Sequence, residues 1–194
     1  GMLPGIVSGQ FRPTAASIDL NRLCRKCGVR LIVDRAVAMN PDERTITLAH
    51  QPTLTFAVAS INLGSVPASE RLWQTHRTLV SVKPMATFMD RLKIREAELI
   101  AQWRDAGSEG RLQFVVIGGG AAGVELALCL EERVHREELP WDVHLVDAGA
   151  EILSGASPAC IDRTRKLLKF RGVDVHLKQR VVDCDEDGPP TLLF

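Results

Sequence analysis

The chain has 194 residues and a mass of 21.3 kDa, with 24 Lys and Arg balancing 24 Asp and Glu. That length holds one domain or one and a half, needs no disulfide staples, and its zero net charge excludes a broad polyanion-binding surface of the nucleic-acid kind. Five irregularly spaced cysteines fit reduced thiols, and the longest apolar run, 114–124, is too short for a membrane span of about 18 residues, so a soluble, cytoplasmic protein is expected.

Ser17 to Cys27 reads as a short helix, capped at Ser17 or Asp19 and stopped by Gly28. Val29 to Val33 predicts a strand, which Ala36 to Met39 either continues or follows after a bend. The Asn40-Pro41-Asp42-Glu43 turn and the alternating Thr45 to Leu48 then predict a hairpin. Leu54 to Ile61 predicts a further strand, ending before Gly64-Ser65-Val66-Pro67. Residues 68–85 are irregular and bounded by prolines, which places a domain boundary near residue 80. Beyond it the pattern turns helical from Thr87, with Gly107 to Gly110 as the stop. Strands are predicted at 114–117, 143–146, 173–177, 181–182 and 191–194, with helices at 121–136 and 158–170 between the first three. Strand–helix–strand–helix–strand implies an α/β fold with a right-handed parallel sheet.

The chemistry concentrates at Gly118-Gly119-Gly120-Ala121-Ala122-Gly123, a G-x-G-x-x-G directly after a buried strand and opening a helix. Gly118 permits the tight turn, Gly120 lets backbone approach a pyrophosphate, and Gly123 lets helix and strand pack closely. The helix N-terminus offers unpaired N–H groups and a positive dipole end. Asp147 ends the second strand, where a carboxylate accepts from ribose hydroxyls. The following Ala148-Gly149-Ala150 holds no cation for a 2′-phosphate, so NADH is favoured over NADPH. Glu125, early in the helix, is expected to face sideways, toward solvent or the nicotinamide.

Residues 116–127, Val-Ile-Gly-Gly-Gly-Ala-Ala-Gly-Val-Glu-Leu-Ala, followed by a strand ending in an acid, resemble the NAD-binding domain of the two-dinucleotide pyridine nucleotide-disulfide oxidoreductases. The type II NADH dehydrogenase-like branch is the nearest match. Gly1 to Gly5 and Ser17 to Cys24 resemble a subgroup fused to selenide, water dikinase, and Ser60 to Pro67, with Gly64 and Ser65, that family's crossover from FAD to NAD domain. The resemblance implies a partial FAD-domain-like segment at 1–80, strand-rich, and a Rossmann-like three-layer NAD-binding domain at 81–194. It further implies the NAD(H)-binding part of a FAD-dependent NADH:acceptor oxidoreductase. The family's first fingerprint and its closing Gly-Asp segment are not in this sequence, so a central slice is expected. Such a slice binds FAD only if the missing segments are supplied and is inactive alone. Cut strands leave apolar edges, which predicts self-association through residues 29–61. Against this stand a stand-alone, non-catalytic nucleotide-binding or scaffolding module and a methyltransferase with a similar Gly-rich turn.

Other residues carry less. Cys24 and Cys27 form C-x-x-C at a helix C-terminus, where the dipole disfavours thiolate, so spectator thiols are expected. The histidines form no metal spacing, and no metal site is expected. His144 and His176 read as face-filling side chains, Trp141 as packing, and Arg133 to Glu138 as a solvated helix end. Asp183, Asp185, Glu186 and Asp187 lack the spacing of a calcium loop.

Overall fold

A computed structural model of the chain describes residues 2–64, 78–136, 139–182 and 191–194. In chain order its elements are α1 (Leu3–Val7), a 3-10 turn (Pro13–Ala16), α2 (Leu20–Cys27), β1 (Ala36–Asn40), β2 (Thr45–Leu48), β3 (Leu54–Thr55) and α3 (Met85–Asp105). After these come β4 (Leu112–Ile117), α4 (Ala121–Val134), β5 (Trp141–Val146), α5 (Pro158–Phe170), β6 (Asp174–His176) and β7 (Thr191–Leu193). Residues 17–65 form one compact unit, and residues 1–16 with 66–194 form the other.

The larger unit is built on a parallel sheet of order β6-β5-β4-β7. Leu112, Phe114 and Val116 pair in register with Trp141, Val143 and Leu145, so these six share one face, and all are buried. Phe114 stacks on Trp141 at 4.2 Å and meets Phe194 edge-on at 5.5 Å; Phe194 meets Phe88 of α3 at 6.3 Å. That aromatic chain locks α3 onto the sheet, and Trp141 packs as expected. Helix α5 starts on the hydroxyl of Ser157, which accepts from the N–H of Cys160, with Pro158 in the first turn where its missing N–H costs nothing. Residues 1–16 group here because Ile6 and Val7 are buried and α1 packs on α4. Composition alone placed them with the strand-rich segment.

One helix end departs from expectation. Arg133 is not solvated: its guanidinium grips the 5%-exposed Glu96 of α3 in a two-pronged pair at 3.0 and 2.6 Å. A bidentate fork suits arginine and carboxylate, and it ties α3 to α4. Nearby, Arg171 donates to Glu131 and Glu132, and Arg136 to Glu132. The Arg171 hydrogen bond, then that of Arg136, holds the Glu132 carboxyl below its usual range.

The smaller unit is an antiparallel sheet of order β1-β2-β3, with α2 ahead of it. Asp19 caps α2 by accepting from the N–H of Arg22, and Gly28 ends it at φ 67°. The hairpin forms as predicted. Val29 to Val33 do not form a strand. There, Asp34 takes the backbone N–H groups of Arg35, His50 and Gln51 on its carboxylate and fastens the chain locally instead. Burial opposes ionisation of Asp34, but the bonds from His50, Arg35 and Gln51 outweigh it and hold the carboxyl below its usual range. The strand expected at 54–61 stops at Thr55, because β2 runs out of residues to pair with it. Val181 and Val182 likewise form no strand.

Candidate functional site

The sheet presents its C-terminal ends at Ile117, Val146 and His176, the edge where open α/β folds bind ligands. From Ile117 the chain turns through Gly118 at φ 115°, a conformation that disfavours any side chain. The N–H of Gly118 donates to the carbonyl of Val146 at 2.8 Å, holding the turn against β5. Gly120 is the N-cap of α4 and Val124 donates back to its carbonyl at 3.0 Å. No hydrogen bond among the described residues engages the N–H groups of Ala121, Ala122 or Gly123. These are the orphan donors every helix start exposes, and both alanines are exposed to solvent.

The glycines divide by what surrounds them. A Cβ on Gly123 would lie 1.8 Å from the carbonyl oxygen of Gly118, so this glycine is required by the fold. A Cβ on Gly120 meets nothing within 4 Å, leaving open space over the helix start. Gly119 is buried, and its Cβ would sit 3.1 Å from that of Asp147.

Asp147 closes β5 and ties the site together. One carboxylate oxygen accepts from the N–H of Gly119 at 2.5 Å and the other from that of Gly149 at 2.6 Å. Each oxygen keeps a lone pair for a further donor. The carbonyl of Gly119 accepts from Leu153 at 2.7 Å, so the fingerprint turn and the segment after β5 are bonded in both directions. Segment 178–179 joins them: Lys178 donates its N–H to Gly149 at 2.8 Å, and Gln179 to the carbonyl of Asp147 at 3.0 Å. Glu151, in the same segment, pairs with Arg165 at 2.8 Å. Lys178 and Arg180 are exposed on this segment, whose backbone contact with the loop after β5 the sequence reading did not anticipate.

The structure thus gathers Gly118, Gly119, Gly120, Ala121, Ala122, Gly123 and Asp147 at one sheet edge. Glu125 is exposed on α4 and makes no hydrogen bond among the described residues. Gly64, at φ 72°, belongs to the smaller unit, and Ser65 lies outside the described residues.

Cys24 and Cys27 are free thiols on α2, and Cys129 is a free thiol on α4 whose titration burial pushes up, with Glu125 and Glu132 adding to the effect. His144 and His176 face each other across β5 and β6 at 3.2 Å, and Nε2 of His144 is buried without a partner. Among the described residues no group of His, Cys, Asp and Glu is arranged to hold a metal ion, and no helix is long and apolar enough to cross a membrane. Asp183, Asp185, Glu186 and Asp187 lie outside the described residues.

Residues 26–192 match the family model of pyridine nucleotide-disulphide oxidoreductase. Among solved structures, the fold is similar to a NAD-dependent persulfide reductase from A. fulgidus, at 15% identity and TM-score 0.70, covering 99% of this chain and 37% of that one. It is similar to NDH2 from Plasmodium falciparum in complex with NADH, at 16% identity and TM-score 0.66, covering 95% of this chain and 41% of that one. A third likeness is to the water-forming NADH oxidase from Lactobacillus brevis bound to NADH, at 18% identity and TM-score 0.60, covering 93% of this chain and 38% of that one. The chain spans about two fifths of the length of these structures.

Proposed function

The chain belongs to the pyridine nucleotide-disulphide oxidoreductase family, and we propose that residues 81–194 are the NAD(H)-binding part of a flavin-dependent NADH:acceptor oxidoreductase. The observation that carries this is the open turn over α4: unengaged N–H groups at 121–123, free space above Gly120, and an acid fixed beside them. Dinucleotide pyrophosphates are held by this arrangement of backbone donors and helix dipole. In this reading Gly118 to Gly123 cradle the pyrophosphate, Asp147 accepts from the adenosine ribose, and Glu125 faces the nicotinamide end. Gly64 and Ser65 keep the role their resemblance implies, the crossover between flavin and nucleotide parts.

In the intact oxidoreductase, bound NADH supplies a hydride for the flavin, which passes electrons to an acceptor. The protein contributes position and electrostatics. Residues 1–80 then correspond to a portion of the flavin domain, and FAD binding needs the segments that carry the family's first fingerprint.

Calorimetric titration of the chain with NADH tests the reading, with S-adenosylmethionine as the counter-probe. Saturable one-to-one NADH binding and a flat S-adenosylmethionine trace are expected. A flat NADH trace overturns it. The alternative is a stand-alone non-catalytic nucleotide-binding or scaffolding module. NADH consumption with FAD and ferricyanide, assayed on a polypeptide in which this chain is joined to segments carrying the family's first fingerprint, separates the two: turnover is expected for the oxidoreductase reading and none for the module.

A further inference from the structure

Strand β5 has chemistry at both of its ends. Asp147 follows it at the edge where the glycine turn lies, and Trp141 opens it at the other, about 20 Å away at the usual rise of an extended chain. A cavity of about 320 Å³ lies at the Trp141 end, small but within the range that holds organic ligands. Val134, Leu139 and Val143 give it an apolar wall, and Trp141, Arg111 and Arg171 line it as well. Trp141 is 6% exposed, and its Nε1–H is buried with no acceptor. A donor buried without an acceptor is costly, and a ligand oxygen brought to it relieves that cost.

The two guanidiniums are held in the same way. Arg111 donates its Nε–H to Asp142 at 2.7 Å and an Nη2–H to the carbonyl of Trp141 at 2.8 Å. Arg171 donates its Nε–H to Glu131 at 2.5 Å and an Nη2–H to Glu132. In both, the side edge of the fork is taken, and no hydrogen bond among the described residues engages Nη1. What remains on each is the end edge, a two-donor fork that matches a carboxylate. His135, exposed on the same lining, can donate from its ring. Asp142 and Glu131 also line the cavity, so the four fixed charges cancel, and the carbonyl end of α4 at Val134 adds a partial negative charge. That balance admits one negative charge on a ligand and refuses two.

We propose that this cavity binds a small organic monocarboxylate. Its oxygens take the indole N–H of Trp141 and the end edges of Arg111 and Arg171, and its apolar body lies against Val134, Leu139 and Val143. The site stands apart from the nucleotide reading, since β5 separates it from Asp147 and the glycine turn, and its ligand is no reactant of the hydride step.

The test is titration of the 194-residue chain with benzoate, read through its three indole N–H signals in proton–nitrogen correlation spectra. Trp141→Phe identifies the Trp141 signal; where that variant fails to fold, Trp73→Phe and Trp103→Phe identify it by elimination. Benzamide, the same shape without the charge, and phthalate, the same ring with a second carboxylate, are the counter-probes. The Trp141 signal is expected to move saturably with benzoate, with a dissociation constant of about 1 mM or tighter. The Trp103 signal is expected to stay, because its Nε1–H already donates to the carbonyl of Glu109 at 3.0 Å. Benzamide and phthalate are each expected to bind about tenfold more weakly than benzoate. Arg111 is exposed, so Arg111→Gln keeps the fold, and it is expected to weaken benzoate about tenfold. Arg111→Lys keeps the charge without the fork and is expected to leave most of that loss in place. A Trp141 signal that benzoate leaves unmoved overturns the proposal. Equal binding of benzamide, or native benzoate affinity in Arg111→Gln, overturns it too. None of these results touches the nucleotide reading, which the NADH titration decides separately.

Discussion

Gly120 and Gly123 are three residues apart and chemically identical, yet the structure gives them different tasks. At Gly123 a single added methyl would collide with the Gly118 carbonyl at 1.8 Å, and backbone cannot step aside cheaply. At Gly120 a methyl enters open space, and its backbone (φ −71°, ψ 178°) suits alanine. Gly123→Ala is therefore expected to destabilise the fold by about 2 kcal/mol or more, as overpacking does, and to abolish NADH binding. Gly120→Ala is expected to change stability by less than about 1 kcal/mol, as N-cap replacements of glycine do, yet to weaken NADH at least severalfold. Denaturant melts beside NADH titrations check the pair; equal loss of stability in both would defeat the division. The fingerprint was legible in the sequence because glycine spacing encodes backbone geometry directly. The surroundings of Asp147 were not. Its acid could be named from its position after a strand, but its two backbone donors, Gly119 and Gly149, depend on how the turns fold together.

Elements of regular pattern appeared where expected, and the exceptions share a cause. Strand β4 ends in the continuous apolar run Phe114 to Ile117 and β5 alternates apolar with polar residues up to Leu145 and Val146, and both formed. The strand expected over residues 54–61 has equal apolar content, but a strand exists only where a partner supplies its ladder, and β2 is four residues long. Likewise Arg133 looks like an exposed helix-end cation until α3 brings Glu96 beside it. That pair joins two helices through residues 37 apart in sequence and is largely withdrawn from water. Glu96→Ala removes the carboxylate matched to the Arg133 fork and is expected to cost about 3 kcal/mol, as breaking buried pairs does. Glu96→Leu with Arg133→Met is expected to recover most of it, because an apolar pair has no desolvation cost. Urea denaturation of both variants decides; a double variant no more stable than Glu96→Ala would show that shape, not charge, sets this contact.

At the scale of the whole molecule the two units differ in kind. The parallel-sheet unit has a continuous core from Ile6 to Phe194. Residues 17–64 contain no buried residue, while Ile18, Val33, Val58, Ile61 and Leu63 are each more than three-fifths exposed. Strand β1, Ala-Val-Ala-Met-Asn, is an edge with every residue exposed and no charge or proline within it. Such an edge is a template for another strand. The chain is therefore expected to self-associate, with Val37→Lys and Met39→Lys together returning it toward monomer. Light scattering of the native chain checks this, and a monodisperse monomer would end the idea.

The sequence by itself determined the α/β class, the order of strands and helices in the parallel unit, and the glycine turn at the start of α4 with its trailing acid. These follow from local rules: periodicity, glycine conformation and the chemistry of a helix start, all written within short windows. Tertiary structure alone decided which apolar runs found a partner strand, that Arg133 closes on Glu96, and that the backbone of Lys178 and Gln179 is bonded to Gly149 and Asp147. The reason is the sheet itself. Parallel pairing sets β6 next to β5, and so joins loops that are thirty residues apart along the chain but within one hydrogen bond of each other in space.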